Sequence, residues 1–127
     1  MAQEDQAQLV ARLHTRRTAT SESIELLAAS TRPVELDQTT QGRLSRMDAI
    51  AQQQMALASR SQLLAELKRI DAALERVEKG VFGRCARCQA DIDRERLQAD
   101  PAITFCIDCV EEIQEMRRIQ EHRARHS

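Results

Sequence analysis

Four cysteines are the residues of this chain whose type and spacing could do chemistry. They form two Cys-x-x-Cys pairs, Cys85 with Cys88 and Cys106 with Cys109, separated by seventeen residues. Two such pairs at this separation are typical of a zinc ion held by four thiolates. Since four sulfur ligands leave no open position for water or substrate, we predict one structural Zn²⁺ that takes no part in catalysis.

A redox function is the alternative, since Cys-x-x-Cys pairs also occur in thiol–disulfide chemistry. The N-terminus lacks the charged start and apolar stretch of a signal peptide, and no apolar run has the length of a membrane span. We therefore expect a cytoplasmic protein that does not bind membranes. Reducing conditions there favour metal binding over disulfides, although the sequence alone leaves the redox alternative open.

A second candidate metal site is the pair His122 and His126, whose i, i+4 spacing places both imidazoles on one face of a helix. No third ligand lies nearby, which favours two ordinary surface histidines. The segment from Arg117 to His126 is basic. It could contact phosphate or an acidic partner, but a solvated helix end whose cations balance the helix dipole is the favoured interpretation.

The composition predicts helices. The 127 residues include no Trp, no Tyr, two Phe, three Gly and two Pro. With so few large apolar side chains the chain cannot fill an ordinary globular core, and long helices or a coiled coil are indicated. The formal net charge of −1 provides no positive field that would draw the chain to nucleic acid or anionic lipid.

Apolar periodicity predicts a mainly α fold, in which an antiparallel helical hairpin over residues 1–79 precedes a zinc knob and terminal helix over 80–127. Pro33 interrupts the helical pattern, so we place the tip of the hairpin at about 31–43. Helices are predicted over 4–30 and 40–79. Their coiled-coil seams consist of Val10, Leu13, Arg17, Thr20, Ile24 and Leu27 in the first, and Leu63, Leu67, Ile70, Leu74 and Val77 in the second.

Each half of the knob contains residues that favour a turn, and the knob has few apolar side chains. Gly83 permits a tight turn before Cys85, Asp100-Pro101 marks a second turn, and Gln89 stands where zinc knuckles often have glycine. The apolar residues available to pack beneath the metal are Ile92, Leu97, Ile103 and Phe105. Folding should therefore be coupled to metal binding. We expect a third helix over 107–124 to fold back on the base of the hairpin.

This order of hairpin, C-x2-C-x17-C-x2-C knob and terminal helix resembles the DksA/TraR family of bacterial transcription factors. The segments 81–88, 96–101 and 105–109 carry the resemblance, which covers about residues 63–118. It implies a factor that binds RNA polymerase without sequence-specific DNA contact. The coiled coil would enter the secondary channel, and its tip would approach the active centre and modulate initiation. The alarmone ppGpp often acts jointly with such factors.

The tip departs from the family pattern, since the string Asp-x-x-Asp-x-Ala is absent from residues 33–49. The resemblance then makes Asp37 the first candidate for a tip carboxylate, Glu35 the second and Asp48 the third. Arg69 lies at a helix position where the family uses a basic residue to contact ppGpp. The other basic positions of that site are not clearly matched, so dependence on ppGpp stays open.

Four other function classes are less well supported. Transcript cleavage, as in Gre-type factors, needs acids that converge on Mg²⁺, whereas Glu35 and Asp37 would point to different sides of a helix. A nucleic-acid-binding zinc finger is disfavoured by the net charge and the lack of aromatic side chains for stacking. A structural coiled-coil adaptor would pair with a second chain, whereas the hairpin predicts a monomer. The absence of a nucleophile–base pair argues against an enzyme.

Overall fold

The structure, a computed structural model, describes residues 3–30 and 43–126. Helices α1 (Gln3–Ser30) and α2 (Arg43–Glu78) form the hairpin, and the short α3 (Arg94–Ala99) and the terminal α4 (Ile107–His126) follow. The predicted mainly α fold is confirmed, although α3 was not predicted. None of the helices described combines the length and the hydropathy that a bilayer crossing requires.

The chain forms two compact units. Residues 14–71 make up one, which contains most of the hairpin. The other combines residues 1–13 with residues 72–127, so that the start of α1 and the end of α2 belong with the zinc knob. We call them the hairpin unit and the knob unit.

The seam of the hairpin unit is partly polar. On α2, Ile70 is fully buried and Leu63 and Leu67 are half-buried, as predicted. On α1, the prediction that Arg17 lies in the seam is wrong, because its side chain is exposed. The side chain of the neighbouring Arg16 is half-buried. Both arginines reach carboxylates of α2, Arg16 that of Glu66 and Arg17 that of Asp71 at 2.6 Å. Such solvent-accessible pairs add little stability, although they link α1 to α2.

Helix α2 ends as the sequence predicts. Gly80 adopts a φ of 74°, in the left-handed region. Its N–H donates to the Val77 carbonyl at 3.1 Å, and the N–H of Val81 donates to the Arg76 carbonyl at 3.0 Å. This pair of bonds is the Schellman motif, which satisfies carbonyls at the end of the helix. The motif turns the chain from α2 directly into the knob.

The core of the knob unit includes a residue from α1. Leu9 packs with the fully buried Leu97. Two polar contacts also hold the start of α1. Arg94 forms an ion pair with Asp5 at 2.5 Å, and Arg12 donates to the Gln98 carbonyl at 2.8 Å. The other members of the cluster are Cys85, Ile92 and Cys109, with Phe82, Ile103, Phe105 and Cys106 partly buried around them. The predicted packing residues are confirmed, whereas Leu9 and Phe82 were missed.

Helix α4 packs only through its first two turns. Cys109 is buried, and Val110 and Ile113 are half-buried. From Gln114 to His126 every side chain is exposed, so the expectation that α4 folds back on the base of the hairpin is wrong for this segment. The reason is composition, because Met116 and Ile119 are its only large apolar residues and both remain in solvent.

Candidate metal centre

The first cysteine pair lies in a tight knuckle. The Cys85 N–H donates to the Ala90 carbonyl at 2.8 Å, and the N–H of Gln89 donates to the Cys85 carbonyl at 3.0 Å. Gly83 and Gln89 both adopt left-handed backbone, with φ of 84° and 64°. A side chain in this conformation costs about 1–2 kcal/mol. Gln89 thus makes the turn that glycine commonly makes, and the two thiols of the pair face the same side.

The second pair is positioned by the start of α4. Cys106 directly precedes the helix, and its carbonyl accepts from the Val110 N–H at 3.0 Å. Cys109 therefore lies in the first turn of α4. The Ala86 N–H donates to the Thr104 carbonyl at 2.7 Å and so brings the two segments together.

The structure brings the four predicted ligands together. Their sulfur atoms lie within 4.8 Å of one another, and the Sγ atoms of Cys88 and Cys106 are 3.6 Å apart. A tetrahedral zinc with bonds of about 2.3 Å separates its sulfur ligands by about 3.8 Å, so the donor set fits this ion. Cys85 and Cys109 are buried whereas Cys88 is exposed. One edge of the cluster therefore faces solvent.

The metal-free thiols differ in their readiness to ionise. Burial opposes ionisation of Cys85, but the backbone N–H groups of Cys88, Cys106 and Arg87 donate to its sulfur and lower its pKa to about 6. Burial and hydrogen bonds with the neighbouring thiols raise the pKa of Cys109 to about 12. The hydrogen bond with the Ala90 backbone favours ionisation of Cys88, but the hydrogen bond with the Cys106 thiol and desolvation outweigh it and raise the pKa of Cys88. Metal binding at neutral pH must therefore displace protons from Cys88 and Cys109.

Arg87 touches both halves of the cluster. Its backbone N–H donates to the Cys85 sulfur at 3.4 Å, and its guanidinium pairs with the Glu112 carboxylate of α4. The hydrogen bond to Glu112, followed by one to the Cys109 sulfur, raises the pKa of Arg87. A zinc ion with four thiolates carries a net charge of −2, so this cation is placed to offset part of it.

Arg87→Gln should therefore weaken zinc binding by roughly tenfold, the low end of the effect of residues that support metal ligands. Transfer of zinc to a competing chelator measures this affinity and its rate. Arg84→Gln, an exposed arginine of the same knuckle, is the matched control and should behave like the original protein. Equal zinc retention by Arg87→Gln and Arg84→Gln would show that Arg87 does not support the site.

Two of the other predicted site residues, Asp48 and Arg69, lie on α2. Asp48 lies exposed on α2, while Glu35 and Asp37 lie outside the described residues. Arg69 is on α2 and donates to the Glu66 carboxylate at 2.8 Å. Because Glu66 also accepts from Arg16, an anionic ligand of Arg69 would compete with this internal carboxylate.

The histidine pair remains a weak candidate. The ring centroids of His122 and His126 are 4.5 Å apart on the exposed end of α4. Within residues 3–30 and 43–126, the four cysteines are the only group of three or more His, Cys, Asp or Glu donors placed to share an ion. The structure therefore adds no third ligand to the two imidazoles.

Comparison with known proteins points to one family. The profile described as "Prokaryotic dksA/traR C4-type zinc finger" matches residues 80–118. The RNA polymerase-binding transcription factor DksA of Escherichia coli K12 is 35% identical over 66 residues, which cover 50% of this chain and 44% of that protein. An uncharacterized protein of Aquifex aeolicus is 45% identical over 51 residues, covering 40% of this chain and 35% of its own. The chain thus spans less than half the length of these curated relatives.

The likeness to a solved structure extends over both units. The transcription factor DksA2 from Pseudomonas aeruginosa superimposes with a TM-score of 0.77 and 25% sequence identity, and the match covers 93% of this chain and 89% of that one. The family profile matches residues of the knob, whereas the structural match includes the hairpin. Knob and hairpin therefore occur in the same combination in both proteins.

Proposed function

Because the chain belongs to the DksA/TraR family of prokaryotic C4-type zinc finger proteins, we propose that it is a transcription regulator that binds RNA polymerase directly. The observation that carries the proposal is the four-cysteine knob joined to a helical hairpin, the combination found in DksA2. The Escherichia coli relative is an RNA polymerase-binding transcription factor, which supports the choice of partner. The proposal places the protein in the cytoplasm.

The proposed role of the metal is structural. Cys85, Cys88, Cys106 and Cys109 would hold one Zn²⁺, whose four sulfur ligands leave no position for a substrate. The ion would link the knuckle to the first turn of α4, and thereby fix the surface on which Leu9 and α3 pack. The protein would act by binding, without catalysis of its own.

The proposed action lies at the tip of the hairpin. The protein would bind as a monomer, without sequence-specific DNA contact, and insert the tip into the secondary channel of the polymerase. Asp37, Glu35 and Asp48 are the carboxylates that would approach the active centre and alter initiation. Arg69 would contact ppGpp only where that ligand can displace Glu66, so ppGpp is an optional part of the proposal.

Site-specific photo-crosslinking tests the proposed placement. A photoreactive amino acid in place of Asp37 should crosslink to polymerase segments that line the active centre. The same amino acid in place of Gln114, on the exposed half of α4, should not reach those segments. Crosslinks from position 37 that fall only on the outer surface of the polymerase would rule out insertion into the channel.

A further inference from the structure

Helix α2 carries a second apolar stripe that its own hairpin covers only in part. Ile50, Leu57 and Leu64 follow one another at intervals of seven residues, and Met47 lies three residues before Ile50. The exposed fraction of each residue's surface is 49% for Ile50, 50% for Leu57, 38% for Leu64 and 60% for Met47. A seven-residue repeat keeps side chains on one helix face and is the spacing of a coiled-coil seam. We call these four residues the α2 stripe.

The surroundings of the α2 stripe are basic. Positions three or four residues from Ile50, Leu57 and Leu64 are their neighbours on the helix surface. Within the described residues these positions include the exposed cations Arg46, Arg60 and Lys68, and none of them is Asp or Glu. The remaining neighbours are Met47, Gln53, Gln54, Ser61 and Leu67. The stripe is therefore an apolar surface with a cationic border.

This pattern selects between possible occupants. Pairing with the stripe of a second copy would bring Arg46, Arg60 and Lys68 close to the same cations, which is unfavourable. A partner helix with apolar residues flanked by carboxylates would instead match both the seven-residue repeat and the charge. We infer that the α2 stripe docks on an acidic helical surface of RNA polymerase. The inference rests on the proposed function for its partner, and it assigns the contact to Ile50, Leu57 and Leu64.

Binding of stripe variants to core RNA polymerase tests the inference. The triple variant Ile50→Gln, Leu57→Gln, Leu64→Gln, in the zinc-loaded full chain, should bind at least about tenfold more weakly, since each of the three loses apolar burial. The matched control is the double variant Leu26→Gln, Met55→Gln. These two apolar residues of the hairpin unit are also exposed, but they lie outside the stripe. This control should bind like the original protein. Arg60→Glu with Lys68→Glu should also weaken binding and reduce its salt dependence.

The outcomes separate the inference from the proposed function. If the original protein binds polymerase and the triple variant binds equally well, the stripe is not the contact, whereas the proposed function stands. If the original protein does not bind, the proposed function fails and the inference fails with it. Circular dichroism and zinc content check folding, and the charge-reversal variant decides the question if the triple variant has lost helix. A dimer in sedimentation that the triple variant abolishes would assign the stripe to a second copy and overturn the inference.

Discussion

Replacing Cys85 by serine should unfold the knob unit. Structural zinc contributes about 10–16 kcal/mol of binding free energy in small zinc domains, as much as or more than the total stability of a typical domain of about 5–15 kcal/mol. The core that remains without the metal consists mainly of Leu9, Ile92 and Leu97 with a few half-buried neighbours. Because this cluster is small, we expect loss of both bound zinc and cooperative melting.

Zinc analysis and thermal melting followed by circular dichroism measure this effect. Ala86→Ser is the matched control, since it places a serine at an exposed position of the same knuckle and removes no sulfur. It should retain one zinc ion and melt like the original protein. A Cys85→Ser protein that kept both its zinc and its melting temperature would contradict a four-thiolate structural site.

The same site should lose metal in acid. The pKa values of Cys88 and Cys109 are raised in the metal-free cluster, so their protons compete with zinc as the pH falls. Zinc affinity should therefore rise with pH, and the stability that the metal provides should be lost on acidification.

Neutralising the tip carboxylates should strongly weaken regulation without abolishing binding. In the variant Glu35→Gln, Asp37→Asn, Asp48→Asn, the change in transcript yield that the protein causes should fall by roughly tenfold, within the range of typical coupling between sites. Affinity for polymerase should remain close to that of the original protein, because the knob and the α2 stripe are unchanged. Transcription from purified components, with binding measured in parallel, separates the two effects.

A control for charge alone is available on α1. Glu22→Gln with Glu25→Gln neutralises two exposed carboxylates away from the tip and should leave regulation intact. If the tip variant regulated transcription as well as this control does, the carboxylates at positions 35, 37 and 48 would have no part in the mechanism.

Local signals in the sequence predicted the site and much of the fold. The two Cys-x-x-Cys pairs define a donor set by spacing alone, and Gly80 marks the end of α2 because only a left-handed residue completes that cap. The spacing of the seam residues Leu63, Leu67 and Ile70 is regular enough to be recognised in the sequence. Glu35 and Asp37 stay predictions, since they lie outside the described residues.

Features that depend on distant partners could not be predicted. Leu9 joins the knob core only because the start of α1 meets α3, which is too short to show periodicity. Arg16 replaces Arg17 in the seam because Glu66 faces it.

Binding of the zinc-loaded full chain to purified core RNA polymerase tests the proposed function most directly. We predict saturable binding of one protein molecule per polymerase. Deletion of residues 31–48 should weaken this binding, and Cys85→Ser should abolish it, while Ala86→Ser should leave it unchanged. Absence of binding by the intact, zinc-loaded protein would contradict the proposed function.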